Sequence, residues 1–223
     1  MSKAFWISHT NEERLSMFKK DNNSISFSNL QVLPNYPPSN WYNVNKTPFS
    51  TKTFPVKFVY VGALSMETMY TREFAEWIKE LNGKATWDIY SANYQEEVLN
   101  YLKNLNSPFI RFKGEVNYFD LPSVLTQYDI GLILYNGHIP NYVYNAPNKL
   151  FEYHACNLDV WVSADIKGSL RYTTKDTFPK IISIDFSRLD MINFNKLIER
   201  ETLNFHQGSY YCENVFESIK NKL

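Results

Sequence analysis

The chain has 223 residues, enough for one well-buried core or one domain with a substantial extension. Hydrophobic residues make up 44% and charged residues 21%, a balance that excludes wholesale disorder. Basic and acidic residues stand at 23 each, and the resulting net charge of zero speaks against a nucleic-acid partner held by phosphate electrostatics.

In chain order, KAFWIS (3–8) reads as a short buried strand. A helix follows over 11–20 with Leu15 and Phe18 on one face and Thr10 or Asn11 as its cap. Between 34 and 55, five prolines and little periodicity mark a linker or extended surface crossing. The domain boundary is placed there, with 1–55 before it and 56–223 behind it. Strands are then expected at 56–62, 86–91, 109–114, 129–135, 159–163 and 180–184. Helices are expected at 71–81, 96–105, 121–128 and 149–156, with two more around 189–200 and 209–222. Strict alternation of helices with strands that are apolar throughout predicts an α/β fold, a Rossmann-like parallel sheet with helices on both faces. Ligands in such sheets sit beyond the carboxyl ends of the strands, at the switch point of the strand order.

Neither Cys156 nor Cys212 has metal-ligand spacing, and the four His are scattered, so no metal and no cofactor are expected. Cys156, in an apolar run, reads as a buried free thiol. The N-terminus has no long apolar region and no stretch is long enough to span a bilayer, which makes a cytoplasmic location the default expectation. There is no GxGxxG fingerprint and no P-loop, so a flavin or nicotinamide domain is disfavoured.

The informative stretch is 146–160, APNKLFEYHACNLDV. Pro147 disfavours helical geometry at Ala146 and Asn148 is a good N-cap, so a helix is expected to start at Lys149. Its free N–H groups and positive dipole end suit a diphosphate, and Lys149 adds a full positive charge. Glu152 shares a face with Lys149 and can accept hydrogen bonds from the two hydroxyls of a ribose. The bland alternative is an i,i+3 ion pair on a solvated helix; the cap, the preceding Tyr/Asn/Pro-rich loop and the apolar strand before it favour the ligand reading. Asn157, which tolerates left-handed backbone, is expected to end the helix.

FVYVGAL, IRFKGEV, LPSVLTQYDIGLILY and APNKLFEYHACNLDVWVS, in this order, resemble the C-terminal donor-binding domain of GT-B glycosyltransferases, near family 4, over roughly 56–165. The N-terminal piece then looks like the last strand, last helix and linker of a preceding acceptor domain, most of which is absent; the final helix resembles the one that crosses back to it. The resemblance implies a nucleotide-diphosphate-sugar donor, with Glu152 on the ribose and Asn148, Lys149 and adjacent N–H groups on the diphosphate. It places Gly62 and Ala63 at the turn near the phosphates and Lys113, Gly114 and Glu115 where the base is held. Tyr142 and Tyr144 lie in the loop near the sugar, and Arg72 is a stand-in for a basic residue after the first turn or a solvated helix charge. The pattern departs from the family at Tyr144, where a first glutamate often stands, and at Asn157 and Asp159, which replace Gly and Pro.

Two functions follow. The first is a glycosyltransferase half acting on a glycan or lipid-linked acceptor, with a separately encoded acceptor-binding subunit through which it could associate peripherally with a membrane. The second is a truncated or degenerate nucleotide-sugar-binding module without turnover. No side chain is assigned as a catalytic base.

Overall fold

The computed structural model describes residues 7–23, 30–43, 54–93, 95–174, 177–198, 204–205 and 210–220. At the start, β1 (Ile7–His9) and β2 (Leu30–Val32) pair in parallel around helix α1 (Glu12–Asp21). Asn11 starts α1: its backbone is extended and its side-chain oxygen accepts from the Arg14 N–H at 2.9 Å. The same side chain is buried and donates to the Tyr144 carbonyl at 2.8 Å, which ties α1 to the larger body. Lys3 to Trp6 of the expected first strand lie outside the described residues.

The larger body runs β3 (Val56–Val61), α2 (Thr71–Glu80), β4 (Ala85–Tyr90), α3 (Glu96–Leu105), β5 (Ile110–Gly114), α4 (Leu121–Leu125) and β6 (Ile130–Ile133). It continues through α5 (Pro140–Val143), α6 (Asn148–Ala155), β7 (Asp159–Ser163), α7 (Lys167–Leu170), β8 (Thr177–Phe178), β9 (Ile181–Ile184) and α8 (Phe194–Leu197). β10 (Asn204–Phe205), which pairs with β8, and α9 (Cys212–Lys220) close it. Six strands form one parallel sheet in the order β5-β4-β3-β6-β7-β9. The expected α/β, Rossmann-like class is therefore the observed one.

Both faces of the sheet are covered, which is why its strands read as apolar throughout. Phe58 and Tyr60 of β3 pack with Phe74, Trp77 and Ile78 of α2 and with Trp87 and Trp161. Val59 belongs to the opposite layer, with Leu150, Phe151 and Tyr153 of α6. Each such large side chain withdrawn from water stabilises the fold by about 1.5–3 kcal/mol. Along the amino edge, Asp129 accepts from the Lys57 N–H and Asp159 from the Lys180 N–H, each at 2.8 Å, so acids stand where neighbouring strands would leave N–H groups unpaired. That is the local reason for Asp159 in place of Pro. The β3–β6 seam at the switch point is short, with Phe58 opposite Ile130 and Val59 opposite Gly131, whereas β3 and β4 pair from Val56–Ala85 to Val61–Tyr90. Gly131 is needed there because the Tyr153 ring lies directly on it.

Three expectations are corrected. The helix expected at 121–128 stops at Leu125, and Tyr128 turns inward to donate to buried Asp88 at 2.8 Å. The single helix expected around 189–200 is instead a 3-10 run, Phe186–Met191, broken by the non-helical Arg188, and then α8, newly capped by Asn193 accepting from Lys196 N–H at 3.1 Å. The segment 34–43 is no free crossing, since Trp41 is 4% exposed and Tyr36 packs on Phe151 at 4.6 Å. Residues 44–53 of that linker lie outside the described residues. The helix expected at 209–222 is seen as α9, with 209, 221 and 222 also outside them.

Candidate functional site

The strand order reverses between β3 and β6, and a crevice is expected beyond the carboxyl ends of these two strands, where α6 begins after β6. α6 begins one residue earlier than expected. Pro147, with extended backbone, holds the cap position, and its carbonyl accepts from the Leu150 N–H at 3.0 Å. Asn148 is thus the exposed first residue of the helix rather than its cap, and no side chain caps this end. The first-turn N–H groups, which have no partners further back in a helix, remain available to an anion. At the other end Asn157 has φ +60°, and the N–H groups of Asn157 and Leu158 donate to His154 and Tyr153 carbonyls at 3.1 and 3.0 Å. This is a Schellman closure, and it accounts for Asn where Gly is usual.

Lys149 and Glu152 do not close an ion pair. The Lys149 amine donates to the Tyr60 hydroxyl at 3.1 Å and lies 4.2 Å from the centre of the Tyr60 ring and 5.5 Å from that of Tyr135. Tyr60 belongs to the layer opposite α6, so the lysine reaches over the carboxyl end of β3 to meet it. The Tyr60 hydroxyl in turn donates to the Ala63 carbonyl at 2.6 Å, which links the lysine to the turn after β3. Gly62 in that turn has φ +123°, a conformation L side chains rarely adopt, and a Cβ there would stand 3.0 Å from the Lys149 amine. Gly62, Ala63 and Lys149 are therefore brought together. Burial pushes the Lys149 amine down to about 8, a fall that the Glu152 charge partly opposes. The aromatic faces supply cation–π attraction but no counter-charge.

Glu152 is 8% exposed, and burial pushes its carboxyl up to about 7, against the pull of Lys149. Tyr118 lies on the loop after β5, downstream of Lys113, Gly114 and Glu115. Lys113 and Glu115 are exposed, and Gly114 has φ +77° with its carbonyl accepting from the Ser91 N–H at 2.8 Å. This trio stands at the carboxyl end of an edge strand, apart from the Lys149–Tyr60–Gly62 group.

Tyr144 is placed elsewhere. It lines an open cleft of about 370 Å³ with Glu12, Glu13, Ser16, Met17 and Lys20 of α1, and its carbonyl packs on Gly168. Its loop neighbour Tyr142 is the one near the lysine, stacked on Tyr135 at 4.4 Å. Asn11 burial and the α5 turn hold Tyr144 toward α1, an arrangement periodicity could not show. Arg72 lies 4.5 Å over the Tyr101 ring on the exposed side of α2, so it is a surface helix charge and not part of the crevice. Sequence reasoning missed Tyr60 and Trp41. A tyrosine two residues before Gly62 in a mostly apolar strand was the available signal for the first; nothing local marks the second.

No protein-family model matches the sequence, and no curated protein matches it. Solved structures do match the fold. The lipopolysaccharide outer core galactosyltransferase WaaB superposes with a TM-score of 0.62 at 14% identity, over 100% of this chain and 63% of that one. Anabaena HepE, solved with UDP-glucose, gives 0.57 at 11% identity over 98% and 55%. The C-terminal domain of the Francisella tularensis glycosyl transferase group 1 family protein LpcC gives 0.51 at 14% identity over 83% and 97%. The chain thus spans less than two thirds of the length of WaaB and HepE. Among the described residues no helix is long and apolar enough to cross a membrane. At these identities the likeness speaks for architecture: the chain has a glycosyltransferase-like fold, a parallel sheet of the kind that forms one GT-B half.

Proposed function

We propose that this chain is the donor-binding half of a glycosyltransferase and holds a nucleotide-diphosphate sugar in the crevice between β3 and α6. One observation carries the reading: a half-buried lysine and a buried glutamate stand on the open first turns of α6 at the switch point without closing an ion pair. A diphosphate supplies the negative charge that Lys149 and the uncapped helix end lack, and the ribose hydroxyls supply donors for Glu152. As sugar leaves the diphosphate, charge develops where Lys149 and the α6 N–H groups already point, an electrostatic contribution to the transition state. That HepE was solved with UDP-glucose supports this class of ligand. The acceptor, a glycan or lipid-linked sugar, is met by a further domain or a separately encoded subunit, consistent with the share of WaaB that the chain spans. A non-catalytic binding module is the second reading, favoured by Tyr144, which brings no carboxylate and faces α1.

Calorimetric titration with UDP, GDP, ADP and their sugars tests the site. Glu152→Ala is expected to weaken the preferred nucleotide by about 10- to 100-fold, the worth of hydrogen bonds to a charged acceptor. Absence of binding by the unaltered chain at millimolar ligand refutes both readings. Binding without slow release of free sugar or transfer, in the presence of its partner, selects the second.

A further inference from the structure

We propose that Tyr60 is a positioning residue for Lys149: its hydroxyl, oriented by the Ala63 carbonyl, holds the amine over the carboxyl end of β3 for a diphosphate. The inference rests on the donor-binding reading above. Tyr60 is 1% exposed, and its hydroxyl has one hydrogen, which goes to the Ala63 carbonyl at 2.6 Å. A carbonyl only accepts, so this bond fixes the direction of the hydroxyl and leaves its lone pairs to the Lys149 amine at 3.1 Å. The Met69 sulfur, 3.4 Å from the same oxygen, is a weaker acceptor. The amine is held from two further sides. The Tyr60 ring centre lies 4.2 Å away, and a Cβ at Gly62 would stand 3.0 Å from it, so the missing side chain makes the niche. Lysine has a flexible four-carbon stem, and an amine anchored in advance spares part of the ordering cost of binding. An ammonium has three N–H donors, so one spent on Tyr60 leaves two for diphosphate oxygens. The other titratable groups around the pair are Tyr135 after β6, Tyr142 on α5, and Glu152 and Tyr153 on α6. Burial raises the Tyr60, Tyr135 and Tyr153 phenols, which keeps these hydroxyls protonated near and above neutrality.

Tyr60→Phe keeps the ring and deletes the hydroxyl, while the carbonyl of exposed Ala63 can take water in its place. Two readouts separate positioning from bulk structure. The first is the titration midpoint of Lys149 in the free protein, followed by carbon NMR of labelled lysines and assigned with Lys149→Met. The second is calorimetric affinity for UDP, GDP and ADP from about pH 6 to 10, in the parent, both single variants and the double variant. Glu152 shapes the acid limb of that profile, so the alkaline limb reads Lys149. A Lys149 midpoint displaced downward from about 8 in Tyr60→Phe, with the alkaline limb moving the same way and affinity near neutrality falling about 10-fold, supports the proposal. In Lys149→Met the same substitution should cost less than about twofold, since no amine is left to hold. An unmoved midpoint, unchanged affinity in a variant whose parent binds, or an equal loss with and without Lys149 overturns it and leaves the donor-binding reading standing. If the parent binds none of the three nucleotides, the donor-binding reading itself fails and this proposal falls with it.

Discussion

Gly131→Ala tests how α6 is set against the sheet. A Cβ at this β6 position overlaps ring carbons Cγ and Cδ2 of Tyr153, which is 1% exposed and whose hydroxyl accepts from the Val61 N–H at 2.9 Å. The ring cannot yield without moving α6 or giving up that bond. Overpacking of this kind costs about 1–3 kcal/mol, and leaving the Val61 N–H unpaired costs about 1–3 kcal/mol more. The expected loss, about 2–6 kcal/mol, is a large share of the roughly 5–15 kcal/mol that holds an ordinary domain. Equilibrium denaturation followed by circular dichroism measures it. Tyr153→Leu should remove much of the penalty, giving a coupling of at least about 1 kcal/mol in the double-mutant cycle. Because Lys149 and Glu152 flank Tyr153 on the same helix, nucleotide affinity should fall with stability. A Gly131→Ala protein within about 0.5 kcal/mol of the parent would refute the claim that contact with Tyr153 sets the seat of α6.

The two charges on α6 predict a distinctive pH dependence. Glu152 titrates at about 7 instead of 4.5, so stability that it lends at low pH is lost as pH rises from 4.5 to 7. Lys149 titrates at about 8 instead of 10.5, so stability returns as pH rises from 8 to 10.5. Measured against Lys149→Met/Glu152→Gln by urea midpoints, the parent should be at its relative weakest between 7 and 8; a relative maximum there refutes the assignment. Asn157→Ala should cost about 1–2 kcal/mol for left-handed backbone, and Asn157→Gly less, in thermal unfolding. Asp159→Ala should lose about 1–3 kcal/mol by stranding the Lys180 N–H, checked by denaturant midpoint and by faster exchange of that amide.

The sheet was legible because its central strands are largely buried on both faces and write mostly apolar runs, as in VKFVYVG and DVWVS. α2 and α3 were legible because one stripe of each faces the core. β2 was not, since LQV is three half-buried residues after a polar stretch, and its pairing with β1 is a tertiary choice. The helix of 189–200 failed because Ile192 takes extended backbone and Asn193 caps a new helix behind it, a break that no single residue type there announces. At the site, the helix-borne Lys149 and Glu152 were readable from spacing, as was Asn157 from its backbone preference. Tyr60 and Trp41 were not, because they meet α6 from β3 and from the segment before β3. Tyr144 was misplaced because its loop folds toward α1 on account of a hydrogen bond from Asn11, far away in sequence.

The short seam between β3 and β6 has a consequence for the order in which the chain folds. β3 meets β4 through nearby sequence, whereas Lys57 and Asp129, which join across the seam, are 72 residues apart. Closing that longer loop costs more chain entropy, so β3-β4-β5 with its helices and β6-β7-β9 with α6 can each gather local contacts before the seam forms. Tyr60 and Gly62 belong to the first set, and Lys149 and Glu152 to the second. The groups that would receive a nucleotide therefore do not exist as a site until the two halves have docked. Competence to bind and completion of folding become one event, and a nucleotide present during refolding would shift the balance toward the finished chain by mass action alone.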